Sequence, residues 1–191
     1  METKTSLEML RIMMRREYTI PTFQRKLVWT ADQVLSLVKS ASDGYPIGPI
    51  LLWEKTYNDI VILDGQQRFS ALTGMVPGSD EIAPHQVGWD FSRDEWVINS
   101  DSDSVITLND WLTSDFAEKL EMFKRIGYTL GEEYLPGLQK LDDIELLLVA
   151  IYTLTDATRE EAVRSFYLLN SKGTRISEEE LSVLIQNKER A

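Results

Sequence analysis

The sequence predicts an α+β fold in two parts, a core of strands and helices over residues 1–105 and a helical subdomain packed on it over residues 106–191. Three observations carry this. Ile50-Leu51-Leu52-Trp53 and Ile60-Val61-Ile62-Leu63 are short apolar runs, the second β-branched at three of its four positions, which is how buried strands read. Between and beyond them, apolar residues recur at helical spacing. From residue 108 the pattern becomes helical throughout. A chain of 191 residues that is 43% hydrophobic and 27% charged has the balance of a globular domain with a core of its own.

Leu7, Leu10, Met13 and Met14 predict a first helix over residues 6–16. Tyr18-Thr19-Ile20 is β-prone and stops at Pro21. Thr30-Ala31-Asp32-Gln33 has the spacing of a capping box, in which a hydroxyl and a carboxamide satisfy each other's backbone N–H groups. Val34, Leu35 and Val38 follow on one face, and Asp43-Gly44 marks the helix end. Pro46, Gly48 and Pro49 lead into the first apolar strand, and Asn58-Asp59 turns the chain into the second. Gln66 to Met75 then reads as a helix, with Phe69 and Leu72 inward and Pro77-Gly78 as its stop. Trp89 and Phe91, then Trp96 and Ile98, alternate on either side of Ser92-Arg93-Asp94-Glu95, the pattern of a hairpin. Leu112, Phe116, Leu120 and Phe123 form one helical stripe. Asp142-x-x-Glu145, Thr158-x-x-Glu161 and Ser177-x-x-Glu180 each have the form of a capping box opening a helix.

Composition excludes several classes of chemistry. With zero Cys there is no disulfide, no zinc-thiolate site and no thiol nucleophile. One His rules out a catalytic or metal site built from several imidazoles, and no protein-built metal site is expected. The longest apolar run, Leu146 to Ile151, falls far short of the roughly 20 residues that span a bilayer. Met1 to Met14 mixes charge with apolar residues rather than presenting a leader's apolar core, so a soluble cytoplasmic protein with no membrane partner is expected. The net charge is −11, divided between +3 over residues 1–30 and −14 over the rest. Such an acidic body opposes broad, sequence-independent duplex binding, which needs many Lys or Arg contacts to phosphate. It leaves room for a small polyanion in a local basic pocket.

Asp64-Gly65-Gln66-Gln67-Arg68 is the most informative segment. A buried strand, a glycine and a helix start in succession make a phosphate-binding geometry: glycine allows close backbone approach, and first-turn N–H groups with the helix dipole favour an anion. Arg68 in that first turn is disfavoured by a few tenths of a kcal/mol unless negative charge compensates it. Asp64 supplies that charge in one reading, with Asp64-x-x-Gln67 as a capping box; a ligand phosphate supplies it in the other. The residues leave both open. The Walker-type loop is absent. Two further clusters carry planar donors or small polar groups: Phe23-Gln24-Arg25 in the loop after Pro21, and Asn170-Ser171-Lys172-Gly173-Thr174 between two predicted helices. Each also reads as an ordinary loop or helix-ending turn.

Taken in order, Ile20-Pro21-Thr22-Phe23-Gln24-Arg25, Pro46-Ile47-Gly48-Pro49-Ile50-Leu51-Leu52-Trp53, Leu63-Asp64-Gly65-Gln66-Gln67-Arg68 and Asn170-Ser171-Lys172-Gly173-Thr174 resemble the N-terminal domain of GmrSD-type modification-dependent restriction systems. The Asp-Gly-Gln-Gln-Arg run is the specific part of the likeness, which covers roughly residues 18–75 and 160–188. The resemblance implies a small mixed β-sheet core related to the ParB and sulfiredoxin fold, with flanking helices and a C-terminal helical part. It also implies a domain that binds and hydrolyses a nucleoside triphosphate in bacterial defence against phages with modified DNA. Carried over by position, Asp64, Gly65, Gln66, Gln67 and Arg68 form the phosphate-binding and hydrolytic motif, Gln24 and Arg25 line the same pocket, and Asn170, Lys172, Gly173 and Thr174 form the second turn. Phe69-Ser70-Ala71 departs from the Leu-Thr-Thr of many relatives, and a His-Asn-His nuclease is not expected within a sequence whose single His is His85.

On that reading Arg68 and Arg25 offset charge growing on the transferred phosphoryl group, Gln66 or Gln67 orients the attacking water, and Asp64 accepts its proton or holds Mg²⁺ through water. Two other outcomes remain: a sensor that binds nucleotide or modified DNA without hydrolysis, and a nuclease acting directly through Asp64 and Arg68. DNA is then a partner directly or through a separate nuclease, and exposed faces of the last two helices leave room for a homodimer.

Overall fold

The computed structural model describes residues 2–5, 17–21, 27–56, 59–79, 81–127 and 135–170. In chain order the described strands are β1 (Glu2–Thr5), β2 (Glu17–Thr19), β3 (Ile50–Thr56), β4 (Asp59–Asp64), β5 (Val87–Asp90), β6 (Glu95–Ile98), β7 (Val105–Thr107) and β8 (Leu148–Thr155). The described helices are α1 (Ala31–Ser42), α2 (Gln66–Thr73), α3 (Leu108–Thr113), α4 (Phe116–Arg125), α5 (Leu135–Glu145) and α6 (Arg159–Asn170). The fold is α+β, as expected.

The main sheet is five-stranded and mixed, in the order β1-β8-β3-β4-β2. β8 runs parallel to β3 and antiparallel to β1, and β4 runs antiparallel to β3 and parallel to β2. Side chains alternate between its faces. Ile50, Leu52, Ile60, Ile62, Val149 and Ile151 point into the larger core, with Val34 and Val38 of α1 and Phe69 and Leu72 of α2. Leu51, Val61 and Leu63 point the other way and meet Ala162 and Phe166 of α6. A strand covered on both faces needs no polar residue, which is why residues 50–53 and 60–63 are unbroken apolar runs. The second sheet is antiparallel, β6-β5-β7. Its hairpin is the one the Trp pattern predicts: Trp89 stands opposite Trp96, and the rings meet edge to face at 5.2 Å.

Local chemistry fixes several ends as expected. Thr30 and Gln33 form the capping box of α1, with Gln33 N donating to Thr30 Oγ1 at 3.3 Å and Thr30 N donating to Gln33 Oε1 at 2.9 Å. Thr158 and Glu161 do the same before α6. Three expectations are corrected. The second part is not helical throughout: Leu148–Thr155 is a strand inside the main sheet, so the sheet joins chain from both sides of residue 105. Asp142 opens no helix; it lies near the end of α5, where Glu145 pairs with Lys119 at 2.7 Å. The stripe from Leu112 to Phe123 is broken at Ser114, because Asp115 caps a new helix with Glu118 and leaves Phe116 78% exposed. One boundary also moves: α2 stops at Gly74, in the left-handed region at φ +67°, before Pro77 is reached. The helix expected over residues 6–16, the turn at Asn58 and the box at Ser177 lie outside the described residues. No helix among the described residues is long and apolar enough to cross a membrane.

Candidate functional site

β4 delivers Asp64 at its last position, Gly65 turns the chain, and α2 begins at Gln66. Gly65 has φ +99°, a conformation that side chains resist, and a Cβ there would stand 2.8 Å from Ile50 Cγ1 of β3. The turn therefore packs as tightly as it does because this residue has no side chain. As cap residue, Gly65 offers no side-chain acceptor to α2. The first-turn N–H groups of a helix have no intrahelical partner, and with the macrodipole they present a positive end.

The predicted capping box between Asp64 and Gln67 does not form. Asp64 is still within β4, opposite Leu51, and its carboxylate reaches forward instead: Arg68 Nη2 donates to Asp64 Oδ2 at 2.7 Å. Gln67 Oε1 is engaged elsewhere, accepting from the backbone N–H groups of Val28 and Trp29 at 3.2 and 3.3 Å. Gln67 thus ties α2 to the segment that follows Gln24 and Arg25. Gln66 is buried at 8% exposure.

The guanidinium of Arg68 is enclosed on a second side. Gly48, at φ +82° in the loop before β3, lies so close that a Cβ there would stand 2.7 Å from Arg68 Nη1. Carboxylate and glycine backbone together hold the side chain of Arg68 to 18% exposure, against 34% for Asp64. Sequence reasoning did not single out Gly48 as a site residue. Its signal was present: a glycine next to one proline and two residues from another, in Pro46-Ile47-Gly48-Pro49, marks a loop of fixed course with one position built for close approach.

Asp64, Gly65, Gln66, Gln67 and Arg68 are therefore on one strand–turn–helix, with Gly48 against its cation. Gln24, Arg25, Lys172, Gly173 and Thr174 lie outside the described residues. Asn170 closes α6 as backbone only, its side chain outside the description. Ala162 and Phe166 of α6 pack on Leu63, the residue before Asp64. No cluster of three His, Cys, Asp or Glu side chains suited to a metal occurs among the described residues.

No curated protein matches the chain. The family model described as the GmrSD restriction endonuclease N-terminal domain matches residues 7–187, nearly the full length, and the Asp64–Arg68 turn falls within that span: the chain belongs to this family.

Proposed function

We infer that this domain binds a nucleoside triphosphate and hydrolyses it, with the phosphates at the turn from Asp64 to Arg68. The observation that carries the reading is a cationic side chain in the first turn of a helix whose cap residue is a glycine. That end of α2 attracts an anion through its N–H groups and dipole, and Arg68 adds a full charge one turn in. Phosphoryl transfer needs positioning and electrostatic stabilisation more than covalent chemistry, so a site with no Cys and no His suits it.

In this reading Arg68 leaves Asp64 for the γ-phosphoryl oxygens as charge develops on them. Gly48 lets the loop before β3 follow that guanidinium without collision. Asp64, released, takes the proton of the attacking water, which Gln66 orients. Gln67 acts by holding Val28 and Trp29, and through them the chain leading from Gln24 and Arg25. Alternatively, Asp64 would hold a Mg²⁺ ion through one of its waters instead of taking that proton, since the ion keeps most of its waters and takes its other ligands from phosphate. When bound, the ion neutralises phosphate charge. DNA enters through a nuclease partner rather than as the ligand of this acidic chain.

Phosphate release from a panel of four NTPs with Mg²⁺, with and without DNA, tests the proposal on wild type and Arg68→Ala. Release by the wild type that falls on the order of 10²–10³ in the variant supports it. Tight binding without release supports the sensor instead, and equal turnover in both proteins removes Arg68 from the chemistry.

A further inference from the structure

Beside the phosphate turn lies an open cleft lined by Trp29, by Gln67 and Ser70 of α2, and by Ala83, Pro84 and His85 of the loop before β5. The segments that contribute its two rings are both fixed by carboxamides. Gln67 Oε1 accepts from Val28 N and Trp29 N. On the other side Gln86 Nε2 donates to Gly74 O and Ala83 O, each at 2.8 Å, and Gln86 N donates to Asn99 Oδ1 at 2.8 Å. Asn99 Nδ2 stands 3.3 Å from His85 Nδ1. Ser70 is 5% exposed and lines the cleft.

We propose that this cleft is the base subsite of the nucleotide: a planar purine or pyrimidine held between the Trp29 and His85 segments, its edge read by the Ser70 hydroxyl and the His85 ring. The proposal rests on the phosphate reading of Asp64–Arg68 and adds where the rest of the ligand goes. Flat aromatic rings on segments already held in place bind a base by stacking with little further ordering. The reach is right. At about 1.5 Å of rise per residue, Ser70 lies about 7 Å along α2 from Gly65, a gap that a ribose and a phosphate bridge. Gln67 serves both halves, since it stands on the phosphate-turn helix and pins the Trp29 segment.

His85 is the single histidine of the sequence, so its ring Cε1–H resonance in tag-free protein reports on this cleft without assignment work. With Mg²⁺ present, saturating addition of the tightest-binding of the four NTPs is expected to shift that resonance, while inorganic triphosphate, which has no base, leaves it in place. By calorimetry, His85→Ala should weaken the NTP about tenfold, the worth of one lost stacking partner, and leave triphosphate binding unchanged. His85→Asn, which keeps a polar group beside Asn99, should weaken it in the same direction. If triphosphate binds but the resonance stays still with every NTP, or if His85→Ala leaves NTP affinity unchanged, the base subsite falls and the phosphate turn stands. If neither triphosphate nor any NTP binds the wild type, the phosphate reading falls and the subsite with it. A shift with a short single-stranded oligonucleotide and with no mononucleotide would overturn the occupant named here.

Discussion

Asp64 and Asp90 are both aspartates at the end of a strand with an arginine a few residues on, and the protein treats them in opposite ways. Asp90 closes β5 with a side chain only 3% exposed. Its Oδ1 accepts from Ser92 N at 2.9 Å and from the Ser92 and Ser104 hydroxyls, each at 2.7 Å. Its arginine, Arg93, is 69% exposed and stands 3.6 Å away. Asp64 is one-third exposed, and its arginine is the more buried member of the pair. One carboxylate is saturated by fixed donors that belong to the fold. The other is matched to a single cation, Arg68, in the first turn of a helix. The first carboxylate is tied to its own hairpin; the second is tied to the helix at whose start we propose the phosphates sit.

The sharpest way to break this contrast is to remove each partner and read activity and stability together. Arg68→Ala should cost on the order of 10²–10³ in phosphate release. The same change should move the unfolding free energy by no more than about 1 kcal/mol, the usual limit for a partly exposed ion pair. Asp90→Ala should do the reverse. Removing the carboxylate leaves its donors, Ser92 N and the Ser92 and Ser104 hydroxyls, without their acceptor, which predicts about 1–3 kcal/mol of destabilisation in urea unfolding, with unchanged phosphate release per folded molecule. A third pair sharpens the role of the glycine loop. Gly44 and Gly48 share φ +82°, but a Cβ on Gly44 meets nothing within 4 Å, whereas one on Gly48 meets Arg68. Each alanine variant should lose about 1 kcal/mol from backbone strain in thermal unfolding, and only Gly48→Ala should also lower phosphate release.

The smallest effect is one of pH. Burial pushes the Asp90 carboxyl up, but the Ser92 and Ser104 hydroxyls and the backbone N–H groups of Ser92 and Arg93 more than offset it and leave it below its ordinary value. A folded pKa below the unfolded one gives stability that is present above about pH 4 and is lost as pH falls through the lower folded value. Acid unfolding followed by tryptophan fluorescence should therefore be less steep in Asp90→Asn than in the wild type. A parallel pH dependence in the two proteins would show that Asp90 does not carry it.

What the sequence made legible is what depends on neighbours three or four residues apart. The Thr30–Gln33 and Thr158–Glu161 boxes need only their own backbone, and both form where their spacing says. The Ile50 and Ile60 strands were readable because both faces of the sheet are covered. β8 was not. Leu146 to Ile151 is a short apolar run, which periodicity cannot divide between strand and buried helix, and Asp142-x-x-Glu145 just before it imitates a helix start. At the site, the motif and its order were legible, and its wiring was not. The Asp64–Gln67 box has the right spacing, yet Gln67 bonds Trp29, 38 residues away. The contact of Gly48 with Arg68 crosses from a loop to a helix: the local pattern marks a close approach at Gly48 but not the residue it meets.

The place of β8 has a consequence for how the chain is made. Residues 148–155 run between β1 and β3, so the first described strand waits for the last described one before it has a neighbour. The sheet that carries Asp64 closes only once Leu148–Thr155 has been made, about 85 residues or more after Asp64 itself. Such long-range pairing is slow to form, because loop closure precedes any gain from contact. Synthesis halted near residue 105 leaves β3 with one edge open, a template for pairing with other chains rather than a small working domain.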